Sequence, residues 1–430
     1  MSTLKTVAAA VIACAVVGGV GFIAFAEYGQ HKNFASISAK VDSADPAQVK
    51  RGQYVAITSD CVACHTVPGG QPYAGGYALQ TPFGTIKASN ITQDTETGIG
   101  GWSLDQFDKA VRHGIGTHGY LYPAMPYTAY TKMSDQDVAD LYAYISTLAP
   151  VKHKVVENEL PFPFNQRMLL AGWNLLFFKD EPFIATSGTP PQVARGDYLV
   201  NGPGHCAACH TAKNLLGGDV AEALQGGTLQ GWHAPDLTSN PHTGLGKWSA
   251  EDVISYLKTG SSRQSVASGP MLEAVENSTQ HMNDQDLQAI TAYLKTLPSG
   301  KAEVPVAVAA SDPQMIQGKR VFESQCEACH VSSGAGVRRM IPELRGNAQV
   351  NAKDPASLLN VVLMGADAPL TAGNPTGAGM PRFDWKLADE DIAAVQTYIR
   401  NSWGNSAAKV TAEQVKAARA EVGAKPWLGH

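Results

Sequence analysis

Charged residues are scarce in this 430-residue chain, at 17% against 44% hydrophobic residues. The formal net charge of −5 leaves no basic excess, and no basic run exceeds a few residues, so a nucleic-acid-binding surface is not expected. A Gly-rich phosphate loop is also missing, which excludes the nucleotide-binding proteins that depend on one. Alternation of apolar and polar residues is rare, so little β-structure is expected.

Cysteine is also infrequent, with seven in the chain, yet its distribution is informative. Cys14 stands alone in an apolar N-terminal stretch. The other six form three Cys-x-x-Cys pairs, and a histidine directly follows each pair. The motifs are Cys61, Cys64 and His65, then Cys206, Cys209 and His210, then Cys326, Cys329 and His330.

The Cys-x-x-Cys-His motif attaches c-type haem through two thioether bonds. With seven cysteines and twelve histidines in the chain, only about 0.003 such matches are expected by chance, so three are not accidental. Zinc would need a second cysteine or histidine pair nearby, and structural disulfides would leave the repeated histidines unexplained. A thioredoxin-like redox pair would need a βαβ pattern. We therefore expect three covalently bound haem c groups, with each motif histidine as the first iron ligand.

Methionine is the expected second iron ligand, as in the Met/His pattern of cytochromes c. Three methionines lie at comparable distances after the motif histidines, each beside a proline in a Gly/Pro-rich loop that can hold a weak thioether ligand. They are Met125, Met271 and Met380. Met133 and Met282 align with Leu387, which cannot bind iron, so this position is expected to pack in the core. Met340 and Met364 are further candidates in the third repeat.

One unit recurs three times along the chain, and each copy opens and closes with a helical pattern. The opening patterns begin near Pro46, Pro191 and Pro313, and the closing patterns at Met133, Met282 and Leu387. The units are predicted over residues 44–150, 191–298 and 313–404, with linkers at 151–190 and 299–312 and a tail at 405–430. A capping box at Thr411 predicts a short helix in that tail. The fold class is therefore mainly α.

A glycine in each opening helix matches a tyrosine in each closing helix. The pairs are Gly52 with Tyr144, Gly196 with Tyr293, and Gly318 with Tyr398. Because glycine lets a facing residue approach the backbone, we predict that the two helices cross closely at each pair.

Residues 1–26 contain an uncharged run of about twenty residues, the length of a membrane-spanning helix, and end in Ala24-Phe25-Ala26, a small-x-small cleavage pattern. A retained anchor and a cleaved signal peptide both fit, and either would export the rest of the chain. The linker at 151–190 is the most apolar stretch that follows. It either folds back over the haem units or contacts a partner or the bilayer.

The motifs resemble those of class I cytochrome c domains. The whole chain, including Phe162–Asn165 and Ala171–Asn174 of the linker, resembles the three-haem cytochrome subunit of bacterial membrane-bound, quinone-linked dehydrogenases that oxidise alcohols, aldehydes or sugar acids. The resemblance implies a catalytic dehydrogenase subunit as partner, ubiquinone as electron acceptor, and a location on the periplasmic face of the cytoplasmic membrane. The third repeat departs from the pattern, because it lacks the Arg-Gly-x-Tyr and Gly-x-Trp-Ser segments.

Three functions fit these features. Irons with two protein ligands have no free position for a substrate, which favours an electron-transfer subunit with no substrate site of its own. A stand-alone multihaem oxidoreductase would need an open or displaceable ligand on at least one iron. A cytochrome subunit of another respiratory complex is also compatible with the haem spacing, and only the family resemblance argues against it.

Overall fold

The computed structural model describes residues 2–300 and 304–424, without the side chains of residues 2–6, 8–13, 15 and 424. Contacts divide the chain into two compact units. The first unit comprises Met1–Ala56 and Cys64–Phe183, and the second comprises Ile57–Ala63 and Ile184–His430. The first unit holds most of the first repeat with the following linker, and the second holds the other two repeats.

The first repeat and its linker form seven helices and four short strands among the described residues. The helices are α1 Ser2–His31, α2 Pro46–Thr58, α3 Cys61–His65, α4 Leu104–His113, α5 Tyr127–Tyr130, α6 Asp135–Ile145 and α7 Leu170–Phe177; the strands are β1 Ala78–Thr81, β2 Gly84–Lys87, β3 Ile115–Gly116 and β4 Gly119–Tyr120. Ser103 and Gln106 close a capping box at the start of α4, and Gly114, in the left-handed region at φ 64°, ends this helix. Local sequence therefore sets both ends of α4.

The second repeat begins with Pro at the first turn of its opening helix, as predicted. Its elements are α8 Pro191–Asn201, α9 Ala207–His210, β5 Gln225–Leu229, β6 Trp232–Asp236, α10 Ala250–Thr259, α11 Pro270–Asn277 and α12 Asp284–Thr296. Asn283 accepts a hydrogen bond from the backbone of Asp286 and caps α12, as Ser134 caps α6 through Asp137.

The third repeat and the tail complete the helix-rich fold. Their elements are α13 Pro313–Gln325, α14 Glu327–His330, α15 Ala348–Asn351, α16 Ala356–Met364, β7 Ala366–Asp367, β8 Gly379–Met380, α17 Asp389–Ile399 and α18 Ala412–Ala424. Thr411 and Gln414 exchange hydrogen bonds at the start of α18, which is the expected capping box. Val415 of α18 is fully buried in a cluster with Leu363 and Ile392, so the tail helix packs on the third repeat.

The predicted close crossing of opening and closing helices is confirmed in all three repeats. A Cβ atom on Gly52 would lie 2.8 Å from Cβ of Tyr144 and would also meet the carbonyl oxygen of Asp140. The corresponding distances are 2.8 Å from Gly196 to Tyr293 and 2.7 Å from Gly318 to Tyr398. Since real Cβ atoms do not approach other atoms so closely, only glycine fits at these crossings.

A polar contact lies beside each crossing. Nε of Arg51 is 2.8 Å from Oδ2 of Asp140, and Arg195 donates two hydrogen bonds, of 2.8 and 2.9 Å, to Asp286. In the third repeat, Gln317 donates to Asp391 at 2.9 Å. A neutral amide thus replaces the arginine in the repeat whose Arg-Gly-x-Tyr segment is missing.

Little β-structure was expected from the sequence, yet the described residues contain four antiparallel strand pairs. Each strand has two to five residues, too few for a clear alternating pattern. The β5–β6 pair packs against the second haem motif, because a Cβ on Gly227 would lie 2.6 Å from the carbonyl oxygen of Cys209. The β5–β6 hairpin therefore places backbone beside the second motif helix.

At the N-terminus, α1 covers residues of the predicted anchor or signal segment. Much of residues 1–15 lies outside the described side chains, so the prediction for residues 1–26 stays a prediction. Among the residues that the structure describes, no helix is both long and apolar enough to cross a membrane.

Candidate haem sites

The first motif histidine is oriented by a backbone carbonyl. Nδ1 of His65 lies 2.7 Å from the carbonyl oxygen of Ser89, which follows strand β2. A carbonyl can only accept, so Nδ1 carries the proton and Nε2 keeps its lone pair for a metal. Burial lowers the pKa of His65, which favours the neutral imidazole that iron binding needs.

The other two motif histidines face an equivalent carbonyl. Nδ1 of His210 is 2.7 Å from the carbonyl oxygen of Pro235 in β6. The carbonyl of Pro342 raises the pKa of His330, although burial lowers it more, and Nδ1 of His330 forms no regular hydrogen bond. The imidazoles of His65 and His210 are therefore oriented in the same way, with Nε2 left for a metal, whereas the imidazole of His330 is not fixed by such a hydrogen bond.

The residues that supply these carbonyls were not predicted as part of the sites. A pattern in the sequence could have indicated two of these residues, because Pro342-Glu343-Leu344 in the third repeat parallels Pro235-Asp236-Leu237 in the second. A Pro-x-Leu pattern therefore recurs beside the second and third sites.

One apolar cavity of about 660 Å³ in the second unit holds the predicted site residues of both the second and the third repeats. The cavity-lining members are Cys206, Cys209, His210 and Met271 from the second repeat, and Cys326, Cys329, His330 and Met380 from the third. Each site thus offers two thiols, one imidazole and one thioether within an apolar lining. This set of groups fits a covalently attached haem. The two haem clefts therefore open into one enclosure.

Several methionines besides the predicted ligands lie near these sites. Met282 and Met340 also line the shared cavity. Met282 is 3% exposed and Met133 in the first repeat is 1% exposed, as expected of core residues, whereas Met340 is 54% exposed. Met364 ends α16. Low exposure is therefore shared by Met133 and Met282, the two methionines expected to pack in the core.

In the first repeat, the predicted ligand Met125 lies in a turn after strand β4. Its backbone N–H donates to the carbonyl of Tyr122 at 3.0 Å, and its own carbonyl accepts from Tyr127 at 2.8 Å. Tyr127 is fully buried. The backbone around Met125 is therefore fixed by a buried neighbour.

The residues that precede the first motif belong to the second unit. Thr58 and Asp60 line the shared cavity, and Nε2 of His205 lies 3.3 Å from the carbonyl oxygen of Ser59. Burial raises the pKa of Asp60 well above its usual range, with a smaller effect of Glu273. Ser59, two residues before the first motif, thus contacts His205, which directly precedes Cys206.

Comparisons with known proteins agree with these sites. The family model described as cytochrome c matches three segments, residues 49–149, 193–298 and 315–403. The chain is 39% identical over 425 residues to the cytochrome c subunit of alcohol dehydrogenase (quinone) from Gluconobacter oxydans (strain 621H), covering 91% of this chain and 88% of that protein.

Two further relatives are similar over most of their length. The gluconate 2-dehydrogenase cytochrome c subunit of Pantoea cypripedii is 41% identical over 402 residues, covering 88% of this chain and 91% of that protein. The fructose dehydrogenase cytochrome subunit of Gluconobacter japonicus is 38% identical over 413 residues, covering 88% of this chain and 84% of that protein.

The chain belongs to the cytochrome c family and carries three cytochrome c domains. Within this family it belongs with the cytochrome c subunits of quinone-linked dehydrogenases, the group expected from its motifs. The prediction of three covalently bound haem c groups is confirmed, and the protein is an electron-transfer protein.

Proposed function

We propose that this chain takes electrons from a catalytic dehydrogenase subunit and passes them to ubiquinone in the cytoplasmic membrane, on its periplasmic face. The relatives named for alcohol, gluconate and fructose dehydrogenases support the choice of partner. The shared cavity carries the proposal, because the attachment and ligand candidates of the second and third sites line one cavity, which suits electron transfer between the two haems. Haem c supplies one-electron chemistry when bound, and the chain supplies attachment, ligands and exclusion of water.

The proposed attachment residues are the six motif cysteines, and the proposed iron ligands are one histidine and one methionine per site. The ligand pairs are His65 with Met125, His210 with Met271, and His330 with Met380. His65 and His210 are held through Nδ1 so that Nε2 is left for the iron, and a methionine ligand at each site would fill the position that a substrate would need. This arrangement favours electron transfer over activation of a bound molecule.

We further propose the domain boundaries 44–150, 191–298 and 313–404, with 151–190 and 299–312 as linkers and 405–430 as the tail. Residues 1–26 act as a signal peptide or as an anchor in the membrane. The matched family segments support the boundaries, since they begin and end within a few residues of them.

The native complex provides the direct test of this function. When the chain is purified from its native membrane, a dehydrogenase subunit should accompany it, and substrate of that dehydrogenase should reduce all three haems anaerobically before quinone reoxidises them. A pyridine haemochrome assay should give about three haems per chain, in line with the three motifs. Peroxidase activity of the isolated chain, with no reduction by a copurified dehydrogenase, would favour the stand-alone enzyme.

The apolar linker folds back on the first unit along only one side. Phe178 stacks edge-on against Tyr127 with ring centroids 5.2 Å apart, and Tyr127 donates a hydrogen bond of 2.7 Å to Asn174. On the other side, Leu175 and Leu176 are 71% and 67% exposed. Phe178 and Asn174 thus fold back as one alternative expects, whereas Leu175 and Leu176 remain uncovered. We propose that the exposed pair contacts the membrane or the dehydrogenase subunit.

Replacing Leu175 and Leu176 together with serine should release the chain from the membrane or from the dehydrogenase while all three haems stay bound, because neither side chain supports the fold. Flotation with liposomes and copurification with the dehydrogenase separate the two partners. The matched control is Phe178→Ser, which removes a packed ring and should lower the thermal stability of the first unit. Unchanged association of the double serine variant with both partners would refute an interface here.

A further inference from the structure

A buried arginine in the third repeat has no carboxylate partner among the described residues. Arg400 caps the C-terminal end of α17 and is 1% exposed. Its guanidinium donates to the carbonyl oxygens of Ala408 at 3.3 Å and Ala352 at 2.9 Å, and its Nη1 is buried without a hydrogen-bond partner. Burial lowers the pKa of Arg400 to about 10, which still leaves the side chain charged at neutral pH.

Arg400 is bonded to residues that line the shared cavity and does not line it itself. Its backbone N–H donates to the carbonyl of Gln396 at 3.0 Å, and both Gln396 and Ile399 line the cavity. Ala352, which accepts from Nη2, follows the cavity-lining Val350 by two residues. The charge is therefore close to the cavity and shielded from solvent.

The charge also acts on a residue of the second repeat. His233 lines the same cavity, and its Nδ1 is buried without a hydrogen-bond partner. Its backbone N–H donates to Oγ of Ser357 at 2.8 Å, and its carbonyl accepts from Gln349 at 3.1 Å, so it is fixed against the third repeat. Burial lowers the pKa of His233 most, Asp354 opposes this change, and Arg400 adds to it.

Asp354 is the carboxylate whose charge raises the pKa of both Arg400 and His233, and it already accepts two hydrogen bonds. Its Oδ2 accepts a hydrogen bond from Thr228 at 3.1 Å, and its Oδ1 accepts from the backbone of Ala356 at 2.9 Å. It is half-buried, so solvent screens its charge more than that of Arg400. The positive charge is thus only partly offset.

We propose that Arg400 is an electrostatic tuning residue that raises the reduction potentials of the second and third haems. Reduction adds an electron to each haem, and a buried positive charge in a medium of low dielectric constant favours the reduced form. In the first repeat, Ser146 stands at the matching place, two residues after the helix-crossing tyrosine, so the first haem lacks this charge. The inference rests on the proposed haem ligation but not on any partner protein.

The test is a spectroelectrochemical titration of the full chain with all three haems bound. In Arg400→Gln, two of the three potentials should fall while the first haem keeps its own potential and serves as an internal reference. Arg400→Lys, which keeps the charge, should restore most of the shift. Lys319→Gln is the matched control in the same repeat, because the side chains of Lys319 and its ion-pair partner Glu323 are 60% and 51% exposed, so the same loss of charge should leave all potentials in place.

Unchanged potentials in Arg400→Gln with three haems bound would overturn the proposal, and so would an equal fall in Arg400→Lys, which would indicate a structural role. Asp354→Asn provides a second route if Arg400→Gln does not fold. Asparagine keeps an acceptor for Ala356, so the fold should survive, and removal of the opposing charge should raise the same two potentials. No rise would again refute the inference. The wild-type haem count and the absence of CO binding test the ligation separately.

Discussion

Replacing Gly196 with valine should force the opening and closing helices of the second repeat apart and abolish stable haem binding there. Any Cβ at this position would meet the backbone carbonyl of Ala289 and lie 2.8 Å from Cβ of Tyr293. A backbone atom cannot move aside as a flexible side chain can, so the cost should reach or exceed the upper end of the about 1–3 kcal/mol typical of overpacking. Unfolding followed at the haem absorption band, together with haem content, measures the effect.

Gly423→Ala is the matched control for this variant. Gly423 also lies within a helix, but a Cβ there would meet no atom of the described residues within 4 Å. Alanine should therefore leave stability unchanged or raise it by up to about 1 kcal/mol, because glycine is a poor helix former. If Gly196→Val kept three haems and wild-type stability, the helix crossing would not be essential to the fold.

The features predicted best from the sequence depend on local chemistry. The Cys-x-x-Cys-His motifs need only five adjacent residues, and the caps at Ser134, Asn283 and Thr411 need only a hydrogen bond three residues along the chain. The glycine–tyrosine crossings are longer in range, yet they appeared because the same pair recurs in three repeats. Repetition along the chain therefore revealed contacts that a single domain would have hidden.

The features that escaped prediction depend on long-range contacts. The β5–β6 hairpin is stabilised by packing on the second motif helix rather than by its own sequence pattern. The shared cavity depends on how the second and third repeats meet, for example where Ser357 of α16 bonds both backbone polar groups of His233. Burial of Arg400 depends on carbonyl groups at Ala352 and Ala408. No spacing or periodicity in the sequence encodes these contacts.

The proposed iron ligands should respond most strongly to substitution. Met271 is the second residue of α11, after Pro270, and lines the shared cavity with His210. Replacing Met271 with alanine should leave the second iron with one protein ligand, so that it binds CO and its potential falls, since methionine ligation favours the reduced state. CO difference spectra and a redox titration measure both effects, and the other two haems should keep their wild-type behaviour.

Met282→Ala is the control that separates a ligand from a core residue. Met282 lines the same cavity but is 3% exposed and directly precedes the cap of α12. Its replacement should lower the free energy of unfolding by about 2–5 kcal/mol, because the smaller side chain leaves a cavity in the core. The iron should not become open to CO. CO binding after Met282→Ala, with none after Met271→Ala, would reverse the assignment. The second repeat would then take its ligand from a different position than the third, because Leu387 stands at the place of Met282 in the third repeat and cannot bind iron. The third iron would still need a cavity-lining methionine, Met340 or Met380, as its ligand.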